Sequence, residues 1–134
     1  MTAAEIDWLA SVVRSCGGYV SSRATPEGGE QPYELNITYF DAMADPLQPD
    51  NIYRQLQRFL CSQIIMLGLR GIPAIYFHSL TGTRNNVRGV AETGVYRAVN
   101  RGRWQDEELR SLLDDTETIT SQLFQRYIDL LAKR

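Results

Sequence analysis

Apolar residues recur at three- and four-residue intervals in three stretches of the chain. In the first, Ile6, Leu9, Ala10 and Val13 line one helical face, and Thr2 and Glu5 ahead of them have the S/T-x-x-E spacing of a capping box. A short helix is expected there, stopping at Gly17 and Gly18. The second stripe is the strongest: Ile52, Leu56, Phe59, Leu60, Ile64 and Leu67, after a turn punctuated by Pro46 and Pro49 in which Asp50 can cap. Its second half, Ile64 to Leu67, is apolar all round, which predicts cover on more than one side. The third stripe, Ile119, Leu123, Tyr127, Leu130 and Leu131, predicts a closing amphipathic helix behind a short acidic one in QDEELRSLLDD.

Between these helices the pattern changes period. YVSSR reads as a brief strand, ATPEGGEQP as a loop by its Gly, Pro and Glu content, and YELNITYF as an extended segment rich in β-branched and aromatic residues. IPAIYF, from Ile72 to Phe77, is apolar without alternation, as a parallel strand buried on both faces would be. Following a crossover helix, it is expected to be such a strand, yet no second run of the kind supplies its parallel neighbours. Residues 78 to 103 read as loop, by Gly82, Asn85, Asn86, Gly89, Gly94, Asn100 and Gly102.

Composition narrows the function classes. The 134 residues make one domain on a prior of about 150 per domain. Fourteen Lys and Arg nearly balance 16 Asp and Glu, so the net charge of −2 provides no global field for nucleic acid or an anionic membrane, and neither is an expected partner. No apolar run approaches the roughly 20 residues of a membrane span. MTAAEIDWLA lacks the basic and apolar regions of a secretion signal, so a cytoplasmic site is expected. Cys16 and Cys61 are expected to be reduced and buried, and with one His no metal-ligand spacing arises.

Candidate chemistry gathers after the predicted strand. Arg84, Arg88, Arg97, Arg101 and Arg103 face one acidic residue, Glu92, within residues 84–103. Arginine forks bind carboxylate, phosphate and vicinal hydroxyls in planar, bidentate fashion, and the carboxyl end of a parallel strand is where a polar ligand binds. The same cluster also suits a solvated loop paired with the acidic stretch 106–117. His78, the only histidine, stands at the strand's last position, either as a site residue or as a hydrogen-bonded structural one. Tyr33, Glu34 and Asn36 offer a ring, a carboxylate and an amide, or simply a loop packed on its own domain. Asp41 and Asp45 have no evident partner for acid–base work, and no Gly-rich phosphate loop, G-x-S-x-G elbow or zinc spacing occurs.

Three fragments in order, PYELNITYFDAM, RFLCSQIIMLGLRGIPAIYFHSLTGTRNN and TGVYRAVNR, resemble the sucrose phosphorylase type of α-amylase-family glycoside hydrolases. The likeness, from about Glu5 to Leu131, implies an α/β fold that is an incomplete (β/α)8 TIM-barrel fragment. Residues 1–48 would be the small insertion between the seventh and eighth barrel strands, and 49–134 the last part of the barrel. GIPAIYFHSL looks like the eighth strand and its loop, and Tyr53 to Leu69 like the helix before it. A whole barrel takes about 250 residues.

The family cleaves an α-glucoside with inorganic phosphate as co-substrate and retains anomeric configuration through a glucosyl-enzyme intermediate; no cofactor is implied. Its three carboxylates lie at the ends of the fourth, fifth and seventh strands, positions that would precede Met1. No catalytic residue therefore carries over, and the missing N-terminal barrel portion becomes the expected partner. Arg97, in TGxxRxxNR, matches the family arginine that binds hydroxyls of the glucosyl unit. Tyr33 and Glu34 match a mobile loop that faces the acceptor and helps receive phosphate, and His78 would line the site. Strict sucrose phosphorylases carry Asp where this chain has Gln31, and usually Gln where it has Glu34, which points away from fructose as acceptor towards glucosylglycerate, glucosylglycerol or phosphorylated sucrose as substrate. The alternative expectation is a non-catalytic remnant or a module that binds sugar or protein.

Overall fold

The computed structural model describes residues 1–133. In chain order the elements are α1 (Ala3–Ser15), β1 (Tyr19–Ala24), β2 (Glu30–Asn36), α2 (Tyr39–Ala42), α3 (Ile52–Gly68), α4 (Phe77–Leu80), α5 (Val87–Thr93), a 3₁₀ turn (Tyr96–Asn100), α6 (Asp106–Asp114) and α7 (Ile119–Ala132). They form two compact units. One comprises Met1–Ala42 and Arg84–Gly102, the other Met43–Thr83 and the stretch from Arg103 on.

In the first unit, Thr2 and Glu5 make the expected capping box and α1 packs on an antiparallel hairpin of β1 and β2. Ala10, Val13 and Val20 form its core with Ile37. Gly18 lets α1 turn back onto the strands: a Cβ there would lie 2.7 Å from Val13 Cγ1 and 2.9 Å from Ile37 Cβ. The hairpin turn is tighter than the expected loop, with Thr25 N donating to Gly29 O at 2.8 Å, so Gln31 and Pro32 lie in the ladder instead of outside it. Register slips once. Ser21 pairs with Glu34 and Ser22 with Pro32, which leaves Tyr33 as the extra residue of a β-bulge. Pro32, lacking an N–H, is tolerated beside this break. The extended run ends at Asn36; Thr38 Oγ1 then accepts from Asp41 N, and Tyr39 to Ala42 turn helical, against the expectation for YELNITYF.

In the second unit, α3 and α6 pack on α7. Leu56, Phe59, Leu67, Leu123 and Tyr127 are buried, and Tyr127 Oη donates to Gln63 Oε1 at 2.7 Å. Asn51 caps α3, not Asp50: its side chain accepts from Arg54 N at 3.0 Å. Two further expectations are corrected here. Ile64 and Ile65 are 53% and 63% exposed, so the apolar second half of α3 is not covered on more than one side by the described residues. Residues 72–76 form no strand, Ile72 is 100% exposed, and Phe77 starts the helical turn α4. A parallel strand exists only as part of a ladder, and among the described residues the one ladder is the β1–β2 hairpin. The coarse expectation of a mixed helix and strand chain holds. Cys61 is exposed and Cys16 half-buried, so the thiols are less covered than expected. Among the described residues no helix is long and apolar enough to cross a membrane.

Candidate functional site

The bulge in β2 organises the first unit's polar rim. In a regular strand successive side chains alternate between faces; the extra residue at Tyr33 re-aims this run, and Tyr33 and Glu34 both act on Arg97. Arg97, on the 3₁₀ turn, donates through Nε to Glu34 Oε1 and Oε2 at 3.0 and 2.9 Å. This hydrogen bond, and then the Glu34 charge, raises the Arg97 pKa above its ordinary value. The side chains are 50% and 33% exposed, so the pair is solvated. Arg97 Nη1 and Nη2 make no hydrogen bond with the described residues. Tyr19 stacks on Tyr96 at 5.0 Å, which steadies the turn that carries Arg97.

Gln31 lies at the other end of the rim. With its amide oriented to satisfy its neighbour, its side-chain oxygen accepts from Arg23 Nε and Nη2 at 3.0 Å, and the Arg23 guanidinium stands 5.4 Å from the centre of the exposed Tyr33 ring. Gln31, Tyr33, Glu34 and Arg97 thus belong to one unit, with Arg23 as the residue the sequence reading missed. Pairing the strands across the Gly28-Gly29 turn would have set Arg23 opposite Gln31. A cavity of about 130 Å³ adjoins this rim, lined by Tyr33, Glu34 and the apolar Ile6, Leu9, Pro32 and Leu35.

Two of the other arginines, Arg84 and Arg88, are engaged within the first unit. Arg84 Nε donates to buried Asp41 and its guanidinium lies 5.8 Å from the Phe40 ring centre, while Arg88 pairs with Glu92 one helical turn on. Asp41 also accepts from Asn85 N at 2.6 Å, and Asp45 pairs with Arg54 at 2.7 Å, so neither aspartate lacks a partner. Asn36 is buried, its Nδ2 donating to Ser21 Oγ at 2.9 Å.

His78 belongs to the second unit, in α4. Its ring meets Tyr76 edge-on at 5.0 Å, and burial lowers its pKa below 6.5. Nδ1 lies 2.9 Å from Thr83 Oγ1, which also accepts from Trp104 Nε1 at 2.8 Å and lies 2.9 Å from Thr81 Oγ1. Thr81 can in turn donate to Phe77 O at 3.1 Å. A hydroxyl has one hydrogen to give and two acceptor positions, so the chain has two consistent settings. Either Thr83 donates to Nδ1 and Thr81 to Thr83, or Nδ1 carries the hydrogen and donation runs from His78 through Thr83 and Thr81 to Phe77 O. Both leave Nε2 without a protein partner among the described residues. No group of three His, Cys, Asp or Glu side chains there could hold a metal ion.

No protein-family model matches the chain. Individual relatives do. A glucosylglycerate phosphorylase of Spirochaeta thermophila is 42% identical over 96% of this chain and 22% of its own length, and one of Allomeiothermus silvanus 36% identical over 94% and 23%. A sucrose phosphorylase of Agrobacterium vitis is 30% identical over 76% of the chain and 18% of its own length. The chain thus spans less than a quarter of the relatives it matches. By sequence the chain is similar to one segment of the glucosylglycerate and sucrose phosphorylases.

Proposed function

We propose that this chain forms part of a retaining, glucosyl-transferring phosphorylase that uses inorganic phosphate to release glucose 1-phosphate from glucosylglycerate. The observation that carries the reading is the 42% identity to a glucosylglycerate phosphorylase across 96% of the chain. Residues 1–48 act as the insertion before the last barrel strand, and 49–134 as the end of a (β/α)8 barrel. Two features support this assignment. Residues 72–76 are apolar and outside any ladder, with Ile72, Ala74, Ile75 and Tyr76 exposed, as a barrel strand without neighbours would be. Ile64 and Ile65 present a further uncovered apolar face.

The nucleophile and the acid come from the rest of the barrel, and this chain contributes binding. Arg97 presents donors to glucosyl hydroxyls, Gln31, Tyr33 and Glu34 face acceptor and phosphate, and His78 lines the site through Nε2. The charged product stays where it is made, which suits a cytoplasmic enzyme.

The test is a graft. This chain replaces the matching segment of the Spirochaeta thermophila phosphorylase, and glucose 1-phosphate release is measured from glucosylglycerate and, separately, sucrose. Phosphorolysis of glucosylglycerate is expected, and Arg97→Lys is expected to lower kcat/KM on the order of tenfold to a hundredfold, the worth of a charged hydrogen bond. A soluble graft that binds sugar but releases no glucose 1-phosphate would instead establish a non-catalytic binding module.

A further inference from the structure

Thr83 Oγ1 is a junction at which the directions of several hydrogen bonds are decided together. Trp104 Nε1 only donates, so at 2.8 Å it occupies one of the acceptor positions of this oxygen. Thr81 Oγ1 lies 3.1 Å from Phe77 O, at the start of α4, and a threonine in a helical turn commonly commits its hydrogen to the carbonyl one turn back. The remaining distances are 2.9 Å from Thr81 to Thr83 and 2.9 Å from Thr83 to His78 Nδ1. With the hydrogen on Nδ1, donation runs from His78 to Thr83, to Thr81 and to Phe77 O, and every one of these distances is a hydrogen bond. With Thr83 donating to Nδ1, one is lost. Thr81 then gives its hydrogen either to Thr83 or to Phe77 O, and the other oxygen pair is left with no hydrogen between its members. Thr81 and Thr83 are buried, so water does not make good the difference.

We propose that Thr83 is a positioning residue that fixes His78 with its hydrogen on Nδ1, so that Nε2 presents a bare lone pair and accepts a hydrogen bond from a substrate hydroxyl. This deepens the functional reading above and rests on it for the identity of the ligand, a hydroxyl of the glucoside. Burial also holds the pKa of the ring below its ordinary value, so Nε2 is unprotonated above about pH 7. A lone pair needs a hydrogen from its partner. The hydroxyls of a sugar or of a glycerate moiety supply one, and a carboxylate does not.

His78 is the only histidine, so the imidazole signals in nitrogen nuclear magnetic resonance of the isotope-labelled full chain belong to it, and chemical shift separates an N–H from a bare nitrogen. Spectra are recorded at about pH 7.5, where the ring is neutral, and at concentrations where sedimentation shows one species. In the parent, Nδ1 is expected to carry the hydrogen and Nε2 to be bare. Thr81→Val frees the Thr83 hydrogen, whose remaining acceptor is Nδ1, and is expected to move the population towards hydrogen on Nε2. Thr83→Val is expected to mix the two forms, and Thr83→Ser to retain the parent one. Trp104→Phe removes a hydrogen bond from the same oxygen without reversing any donation. It is expected to leave the form unchanged, which separates bond direction from general loosening. Hydrogen on Nε2 in the parent, or one and the same form in the parent, Thr81→Val and Thr83→Val, overturns the proposal. In the graft, Thr81→Val is expected to raise the KM for glucosylglycerate several-fold and to leave that for phosphate in place. An equal or larger rise for phosphate, or none for glucosylglycerate, overturns the hydroxyl assignment. The position of the hydrogen is read without turnover, so a graft that makes no glucose 1-phosphate refutes the functional reading and not the role of Thr83.

Discussion

Asn85 ties the end of α1 to the start of α2 through one side-chain amide. Its Oδ1 accepts from Thr38 N at 2.8 Å and its Nδ2 donates to Cys16 O and Gly17 O at 3.3 and 3.2 Å. Asn85→Ala leaves the partly buried Thr38 N–H without its acceptor, a loss expected to cost on the order of 2 kcal/mol in urea unfolding. Asn85→Asp keeps the acceptor but sets a charge against two carbonyls, and is expected to destabilise as well. His78 supplies a pH-dependent term. Its pKa falls below 6.5 on folding because burial disfavours the imidazolium, so between that lowered value and 6.5 the unfolded chain binds more protons than the folded one. Stability from this residue is complete above about pH 6.5 and falls as pH drops through the window. The urea midpoint is therefore expected to fall from pH 7.5 to 5.5, and to fall less in His78→Asn. An equal fall in both proteins would assign the dependence elsewhere. These residues show where sequence reading stops: NN in TGTRNN reads only as a turn, because the carbonyls Asn85 meets lie 68 and 69 residues away.

At the scale of elements, legibility followed period and capping chemistry. The capping box of α1 and the stripe of α3 are local features, and both helices form where those residues stand. The stripe nevertheless hides its polar members. Gln55 and Gln63 are buried in α3 while apolar Ile64 is exposed, because Gln63 meets the Tyr127 hydroxyl of α7, a partner that helical spacing does not reveal. Tyr127→Phe strands the buried Gln63 oxygen and is expected to cost roughly 1–2 kcal/mol, whereas adding Gln63→Leu removes the unsatisfied group and recovers part of the loss. Chemical unfolding of the full cycle measures this; strict additivity would mean the bond carries no coupling. Glycines divide the same way. Gly18→Ala drives a Cβ into Val13 and Ile37, an overpacking expected to cost about 1–3 kcal/mol, while Gly68→Ala, at the end of α3 with nothing within 4 Å, is expected to be neutral or mildly stabilising. Of the candidate rim, Arg97, Tyr33 and Glu34 were reachable through resemblance, but their meeting depends on a one-residue bulge that no pattern of polar and apolar positions encodes.

On the scale of the whole molecule the informative contradiction is between sequence and burial. Residues 72–76 have the composition of a doubly buried strand, yet the described structure leaves Ile72 fully exposed and its neighbours outside any ladder. Apolar backbone in that state exposes both side chains and unpaired N–H and C=O groups, which is a template for association. The chain alone is expected to associate with rising concentration in sedimentation velocity, and Ile65→Lys with Ile72→Lys to reduce association without changing the far-ultraviolet circular dichroism. A wild-type chain that stays monomeric across the range would contradict this. The sharper measurement compares contexts. If these residues become a barrel strand when the rest of a phosphorylase is supplied, the amides of Ala74, Ile75 and Tyr76 move from solvent to ladder hydrogen bonds, and their exchange slows with the opening free energy of the sheet. Hydrogen exchange followed residue by residue is therefore expected to be near the unprotected rate in the isolated chain and slower by orders of magnitude in the graft. Equal rates in both would mean that residues 72–76 are loop in every setting, and that the unbroken apolar run serves contact between chains instead of a sheet.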